Sequence, residues 1–308
     1  MKLSIVTTLY QSAPHIEEFH RRATEAARNF AGDDYEIVMV NDGSPDNSLE
    51  LALALADNDP RLVLVDLSRN FGHHKALMTG MAHAEGEYVY LIDSDLEEEP
   101  EWLALFAREM EQNPADVVFG VQQSRKGKWF ERVSGKLYYA AFNALSQAEI
   151  PPNSVVARLM SRRYVNALVA HTEREIFIDG LFTLTGFRQT PYPIKKHASS
   201  ESTYTFKKKV ALAVNSITSF TSAPLVGIFY LGMIISFFSS CYIAYLVFKK
   251  LFSDVSIAGW TSTIASIWFI GGLIILFIGI VGIYIAKLFS EVKSRPYVII
   301  RDVYGKKH

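Results

Sequence analysis

The sequence predicts an α/β fold, a mostly parallel sheet covered by helices, followed by a C-terminal two-helix transmembrane hairpin. Three observations predict it. Short β-rich runs alternate with helical patterns over the first 120 residues, and such alternation builds parallel sheets. Turn signals and mixed charge continue to about residue 206. Beyond that, residues 224–288 are mostly apolar.

Taken in order, Leu3–Thr8, Glu36–Val40, Leu62–Val65, Tyr88–Ile92 and Val117–Val121 read as buried strands. Between them, His15–Asn29, Pro45–Asp57, Lys75–Ala84 and Glu101–Glu111 read as helices. Residues 122–148 carry Arg125, Lys126, Lys128, Arg132 and Lys136 among aromatic residues, a pattern for a basic amphipathic helix at a membrane surface or for an ordinary surface helix. Pro224–Phe248 and Ile264–Phe289 each reach the roughly 20 residues needed to cross a bilayer. Lysines 207–209 precede the first span, and Lys293, Arg295, Lys306 and Lys307 follow the second. That charge bias places both termini and the N-terminal α/β domain in the cytoplasm, at the inner membrane. The resulting division is 1–206 an α/β domain, 207–223 an amphipathic juxtamembrane segment, 224–289 the spans, and 290–308 a cytoplasmic tail.

Formal net charge is −1 over 308 residues and mean hydropathy is +0.12. A near-neutral chain lacks the basic excess of a nucleic-acid binder. The single cysteine, Cys241, excludes a disulfide framework within one chain. The start, Met1–Tyr10, lacks the pattern of a cleaved signal.

Ligands of such sheets bind beyond the carboxyl ends of the strands, so residues just after strands are the candidates. Asp93-Ser94-Asp95 follows the fourth strand. Two carboxylates at i and i+2 can turn onto one hard cation that bridges diphosphate oxygens, and Glu97 continues the spacing. Glu98, Glu99 and Glu101 read as solvated acids near a helix start. Asp42 follows the second strand, placed to accept hydrogen bonds from a nucleotide. Ser44 and Pro45 beside it read as a helix N-cap and first residue. After the third strand, Gly72 permits close ligand approach, and Lys75 is placed to meet a phosphate at the helix start. His73 and His74 are adjacent, and sequence neighbours seldom converge on one zinc ion.

With these motifs assembled, the chain resembles the family-2, GT-A-fold polyprenyl-phosphate glycosyltransferases, including dolichyl-phosphate mannose synthases and bacterial undecaprenyl-phosphate glucosyltransferases. The resemblance covers nearly the whole chain. It rests on Val40-Asn41-Asp42-Gly43-Ser44, Leu67-Ser68-Arg69-Asn70-Phe71-Gly72, Asp93-Ser94-Asp95-Leu96 with Pro100-Glu101, Arg158-Leu159-Met160 and Glu201-Ser202-x-Tyr204. It implies that Thr8, Tyr10 and Asp42 line a nucleotide pocket, and that Asp93, Asp95 and Glu97 hold Mg²⁺ or Mn²⁺. Arg125, Arg132, Arg158, Lys196, His197 and Ser202 would meet the lipid phosphate or the leaving diphosphate. The implied reaction is inverting transfer from a nucleotide sugar, UDP-linked by analogy, to polyprenyl phosphate at the bilayer. A homo-oligomer is implied by relatives, and a membrane flippase is a further expected partner.

The departures from the pattern concern the sugar. Gln11 and Ser12 replace a common Asn-Glu after Tyr10, and Glu97 stands where Gln is frequent. Val156 replaces an acidic residue two positions before Arg158, while Asp179 stands where relatives carry a basic residue. Asp179 is therefore expected to act in catalysis by compensating for Val156. Two other readings are a membrane-tethered sugar-nucleotide sensor or scaffold, and a processive polysaccharide synthase. The latter's Gln-x-x-Arg-Trp signature is absent, since none of Trp102, Trp129, Trp260 and Trp268 follows an arginine.

Overall fold

A computed structural model of the chain describes residues 1–122, 151, 153–174, 176–195, 223–252 and 259–305. Strands β1 (Leu3–Leu9), β2 (Tyr35–Asn41), β3 (Leu62–Leu67) and β4 (Tyr88–Leu91) form a parallel core in the order β4-β1-β2-β3. Every residue of β1, β2 and β3 is buried, which explains why they read as continuous apolar runs rather than alternating ones.

Both faces are covered. Leu3, Ile5, Ile37, Met39 and Tyr90 point to a layer with helices α1 (Ile16–Ala31), α2 (Ser48–Asn58) and α4 (Trp102–Gln112). Val6, Val38, Val40, Val65 and Leu91 point the other way, to α3 (His73–His83), α5 (Arg162–Val169) and α6 (Ile178–Leu184). Helix α1 shows why it docks: Ile16, Phe19, Ala23, Ala26 and Ala27 make one apolar stripe.

The sheet is mixed rather than wholly parallel. Strand β6 (Ser154–Ser161) runs antiparallel between β4 and β5 (Val117–Gln122), and β7 (Gln189–Ile194) closes that side parallel to β5. The antiparallel course of β6 brings its beginning, Ser154–Val156, to the edge where the parallel strands end. At the opposite side, β8 (Ile300–Tyr304) pairs antiparallel with β3. Residues read from the sequence as a C-terminal tail therefore return to the main sheet.

A further correction concerns the second helix, which begins at Ser48 and not at Pro45. Ser44 does not cap it. Its hydroxyl instead accepts the Gln11 amide at 2.7 Å and donates to Asp46. Asp46 also accepts the Ala13 amide and the Ser48 amide. Tertiary bonds across to the β1–α1 loop outcompete the local helix signal.

Beyond the sheet lie α7 (Ala223–Phe252) and α8 (Trp260–Val292), which touch one another. Within α8, Ile270–Val292 has mean hydropathy 2.4 and none of it is buried, so it is long and apolar enough to cross a membrane. Among the described residues, α7 offers a shorter apolar stretch, Pro224–Ile235. Exposed Phe229, Ile275 and Leu288 present apolar surface of the kind that marks a membrane-associated chain. The end of α8 meets the loop between α5 and α6, where Glu291 Oε1 accepts the Arg174 amide at 2.7 Å.

Candidate active site

The strand ends converge as the sheet topology requires. A pocket of about 280 Å³ opens there, lined by His73, His74 and Leu77 from the start of α3, and by Asp93 and Glu98 from the β4–α4 loop. Its far wall is Asn153–Val156 from the start of β6, with Ile178, Asp179 and Phe182 from α6. Two residues singled out from the sequence, Val156 and Asp179, thus face one cavity from different elements.

Asp93 is about one-fifth exposed and faces His73 Nε2 at 3.5 Å. The other ring nitrogen of His73 lies 3.1 Å from Thr8 Oγ1, so the imidazole ties the β1 end to the β4 end. Burial by the surrounding protein lowers its pKa below the ordinary histidine value. His74 turns elsewhere, toward the Ile176 carbonyl and the Phe177 ring. The two rings have separate partners.

Ser94, between the two aspartates, donates to the Thr8 carbonyl at 2.9 Å, which fixes the loop against β1. Leu96 adopts φ 59°, a left-handed turn, and Asp95 Oδ1 accepts the Glu97 amide at 3.0 Å. Asp95 and Glu97 lie on this turn, outside the residues that line the pocket. Among the described residues no group of three metal-capable side chains is assembled. Two carboxylates on one turn suit a hard cation that takes its remaining ligands from diphosphate and water rather than from a full protein cage. The residues present fit that kind of ion.

Asp42 is 2% exposed. Its two oxygens accept the Phe71 amide at 2.7 Å and the Gly72 amide at 3.0 Å. Burial raises its pKa above the usual carboxylate range, against the pull of those two amides. Gly43 beside it has φ 57°, and a Cβ there would sit 2.4 Å from the backbone of Arg69 and Asn70. The 41–44 and 68–72 loops are therefore interlocked, and only glycine permits the contact. Lys75 is partly buried in the first turn of α3, and Tyr10 is 47% exposed past the end of β1; neither lines the pocket.

Arg158 lies in β6 and is buried. Its guanidinium donates to the carbonyls of Val155 and Val156, each at 3.0 Å, and stacks 3.3 Å from the centre of the Phe182 ring. Burial lowers its pKa, while Tyr164, Asp179, Glu98 and Asp93 favour its charged form. The guanidinium stands behind the pocket wall as its scaffold.

Glu98 corrects the sequence reading most clearly. It is not a solvated acid but 1% exposed, and its carboxylate accepts the Val156 amide at 3.2 Å and the Ala157 amide at 2.7 Å. Nothing in the run Glu97-Glu98-Glu99 distinguishes it in sequence. Arg125, Arg132, Lys196, His197 and Ser202, with the basic segment 122–148 beyond Gln122, lie outside the described residues.

Comparison with known proteins bears on the family and the fold. Residues 4–169 match the model of glycosyl transferase family 2. A Mycobacterium tuberculosis protein named only as a glycosyltransferase is 49% identical over 99% of this chain and 89% of its own length. The SfII prophage-derived bactoprenol glucosyl transferase of Shigella flexneri is 32% identical over 98% of both chains. Among solved structures, a mannosyltransferase from Pyrobaculum calidifontis in complex with GDP-Man and Mn²⁺ covers 95% of this chain and 86% of its own, with TM-score 0.51 and 19% identity. That likeness is one of fold, the GT-A arrangement.

Proposed function

Because the chain belongs to glycosyl transferase family 2, and is thus a glycosyltransferase, we propose that it transfers a sugar with inversion from a nucleotide-diphosphate donor to a polyprenyl phosphate. The observation that carries this reading is the pocket lined by Asp93 at the carboxyl edge of the sheet, in a chain whose α8 is fit for a bilayer. Relatives named as bactoprenol glucosyl transferases, matched over nearly their full length, support the lipid acceptor.

In this reading Thr8, Tyr10, Asp42 and Lys75 surround the nucleotide, and UDP is the preferred one. Asp93 and Asp95, with Glu97 as a third acid, hold Mg²⁺ or Mn²⁺. When bound, that ion offsets charge on the departing diphosphate. The volume of the cavity is below the 300–1,000 Å³ typical of ligand pockets, which fits the sugar end of the donor rather than the whole nucleotide. Asp179 faces that volume and takes a sugar hydroxyl, substituting for the acid absent at Val156.

The acceptor phosphate is anionic near neutral pH and needs no strong base. One of its oxygens bonds to the anomeric carbon as the bond to the diphosphate oxygen breaks, and the electron pair leaves with the nucleotide. The protein's task is alignment and charge. Arg158 acts from behind the wall, and Arg125, Arg132, Lys196, His197 and Ser202 are assigned to the lipid phosphate. Both ends of the α7–α8 segment connect to the same catalytic domain, so the number of membrane crossings between them is even. Two crossings with a cytoplasmic catalytic domain is the topology we assign.

The test is incubation of the purified chain and undecaprenyl phosphate with UDP-, GDP- and dTDP-sugars, with and without Mn²⁺. A β-linked lipid monophosphosugar from an α-linked donor is expected. An α-linked product overturns inversion, and nucleotide binding without turnover overturns the enzyme reading in favour of a sensor. Asp179→Asn is expected to lower turnover; full turnover removes Asp179 from the sugar site.

A further inference from the structure

Strand β8 makes an irregular pair with β3. Asp66 is opposite Asp302, yet Leu67 is opposite Ile300, so Arg301 is the extra residue of a bulge. Bulges re-aim side chains, and here Arg301 turns onto two partners. Its Nη1 donates to Asp66 Oδ2 at 3.0 Å and its Nη2 to the Ser68 carbonyl at 2.8 Å. The Ser68 amide in turn donates to the Ile299 carbonyl at 2.9 Å.

Asp66 is 1% exposed near the end of β3, the strand that β8 covers at the sheet edge. Its other oxygen accepts the Asn41 side-chain amide at 2.7 Å, and Asn41 Oδ1 accepts the Ser44 amide at 3.2 Å. One side of this chain of bonds thus reaches the 41–44 loop, and the other enters the 68–72 loop at its first residue. Those are the two loops interlocked at Gly43 and joined by Asp42 to the Phe71 and Gly72 amides. Only seven residues, 293–299, separate β8 from the end of α8.

We propose that Arg301 is a positioning residue for the nucleotide-sugar site, fastening both donor loops to the strand that leaves the membrane helix. This rests on the reading that those loops bind the donor nucleotide. The protein thereby joins its lipid-facing and nucleotide-facing parts through one bulge. Without the guanidinium, Asp66 is left as an uncompensated buried charge, which is destabilising, and the Asp42 and Gly43 contacts alone hold the two loops together.

The experiment uses the full chain in nanodiscs, as wild type, Arg301→Gln and Arg301→Lys. Hydrogen–deuterium exchange reports on the peptide covering residues 68–76, which contains the Phe71 and Gly72 amides. Calorimetric titration with UDP and with GDP reports on the donor site. Arg301→Gln is expected to speed exchange in 68–76 at least tenfold while β1 peptides stay unchanged. It should also weaken nucleotide binding about tenfold, with Arg301→Lys recovering part of both effects. Unchanged exchange in 68–76, or a rise spread equally over β1, overturns the proposal. If 68–76 loosens as expected and wild type binds neither UDP nor GDP, the positioning bonds stand and the donor-site reading falls.

Discussion

Replacing Glu98 by Gln tests whether the pocket wall is held from below by a buried carboxylate. Both Glu98 oxygens accept main-chain amides, from Val156 at 3.2 Å and from Ala157 at 2.7 Å. Glutamine keeps the size and one acceptor, which will take the shorter bond to Ala157. Its NH₂ then opposes the Val156 N–H, donor against donor. Leaving one buried donor unsatisfied costs about 1–3 kcal/mol, and Arg158 loses an anionic neighbour besides. At roughly 2–4 °C per kcal/mol for a domain of this size, a 2 kcal/mol loss lowers the melting temperature by about 4–8 °C. Thermal unfolding followed by intrinsic fluorescence in detergent measures it. Transfer assays should show a fall in kcat/KM, because Val156 lines the pocket whose strand has lost its anchor. A melting temperature within 1 °C of wild type would refute the reasoning, since it would mean the carboxylate does no holding.

Asp95→Ala is expected to reduce transfer by at least about 100-fold, the scale of losing one electrostatic stabiliser of the leaving group, with circular dichroism unchanged; substantial activity removes the metal assignment. Gly43→Ala forces a left-handed residue, costing about 1–2 kcal/mol, and drives a Cβ into the Arg69–Asn70 backbone. Donor KM should rise, and a wild-type KM would show the loops are not interlocked. Burial works against the Asp46 carboxylate, but Ser44, Ser48 and the Ala13 amide hold it down to about 2, from an ordinary 3.8. Its contribution is therefore complete above the unfolded value and is lost as pH falls through the folded one. With about 1.4 kcal/mol per pKa unit, roughly halved for a partly exposed group, it supplies about 1 kcal/mol. The stability difference between wild type and Asp46→Asn, from denaturant melts, should shrink by that amount between pH 5 and pH 2, and a constant difference contradicts the account.

The strands of the parallel core were readable because burial on both faces demands unbroken β-branched and aliphatic runs. Asp93 and Asp42 were readable because chain direction alone puts residues after those strands at one edge. What escaped had no local signature. Strand β8 is five residues of mixed polarity whose partner, β3, lies more than 230 positions earlier. The start of α2 was misplaced because Ser44-Pro45 is a valid helix signal until Asp46 bonds to Ala13 across the loop. Glu98 was hidden among like residues, and only the antiparallel arrival of β6 makes it a buried acceptor.

The far wall of the pocket has one more property. Arg158 grips the carbonyls of residues 155 and 156, and Glu98 grips the amides of 156 and 157. All four of these bonds end on main-chain atoms, which every amino acid but proline offers alike. The side chains at 155 and 156 line the cavity without carrying any of them. On the proposed reading, exchanging the residues at these two positions would retune the sugar end of the site while the wall behind stays standing.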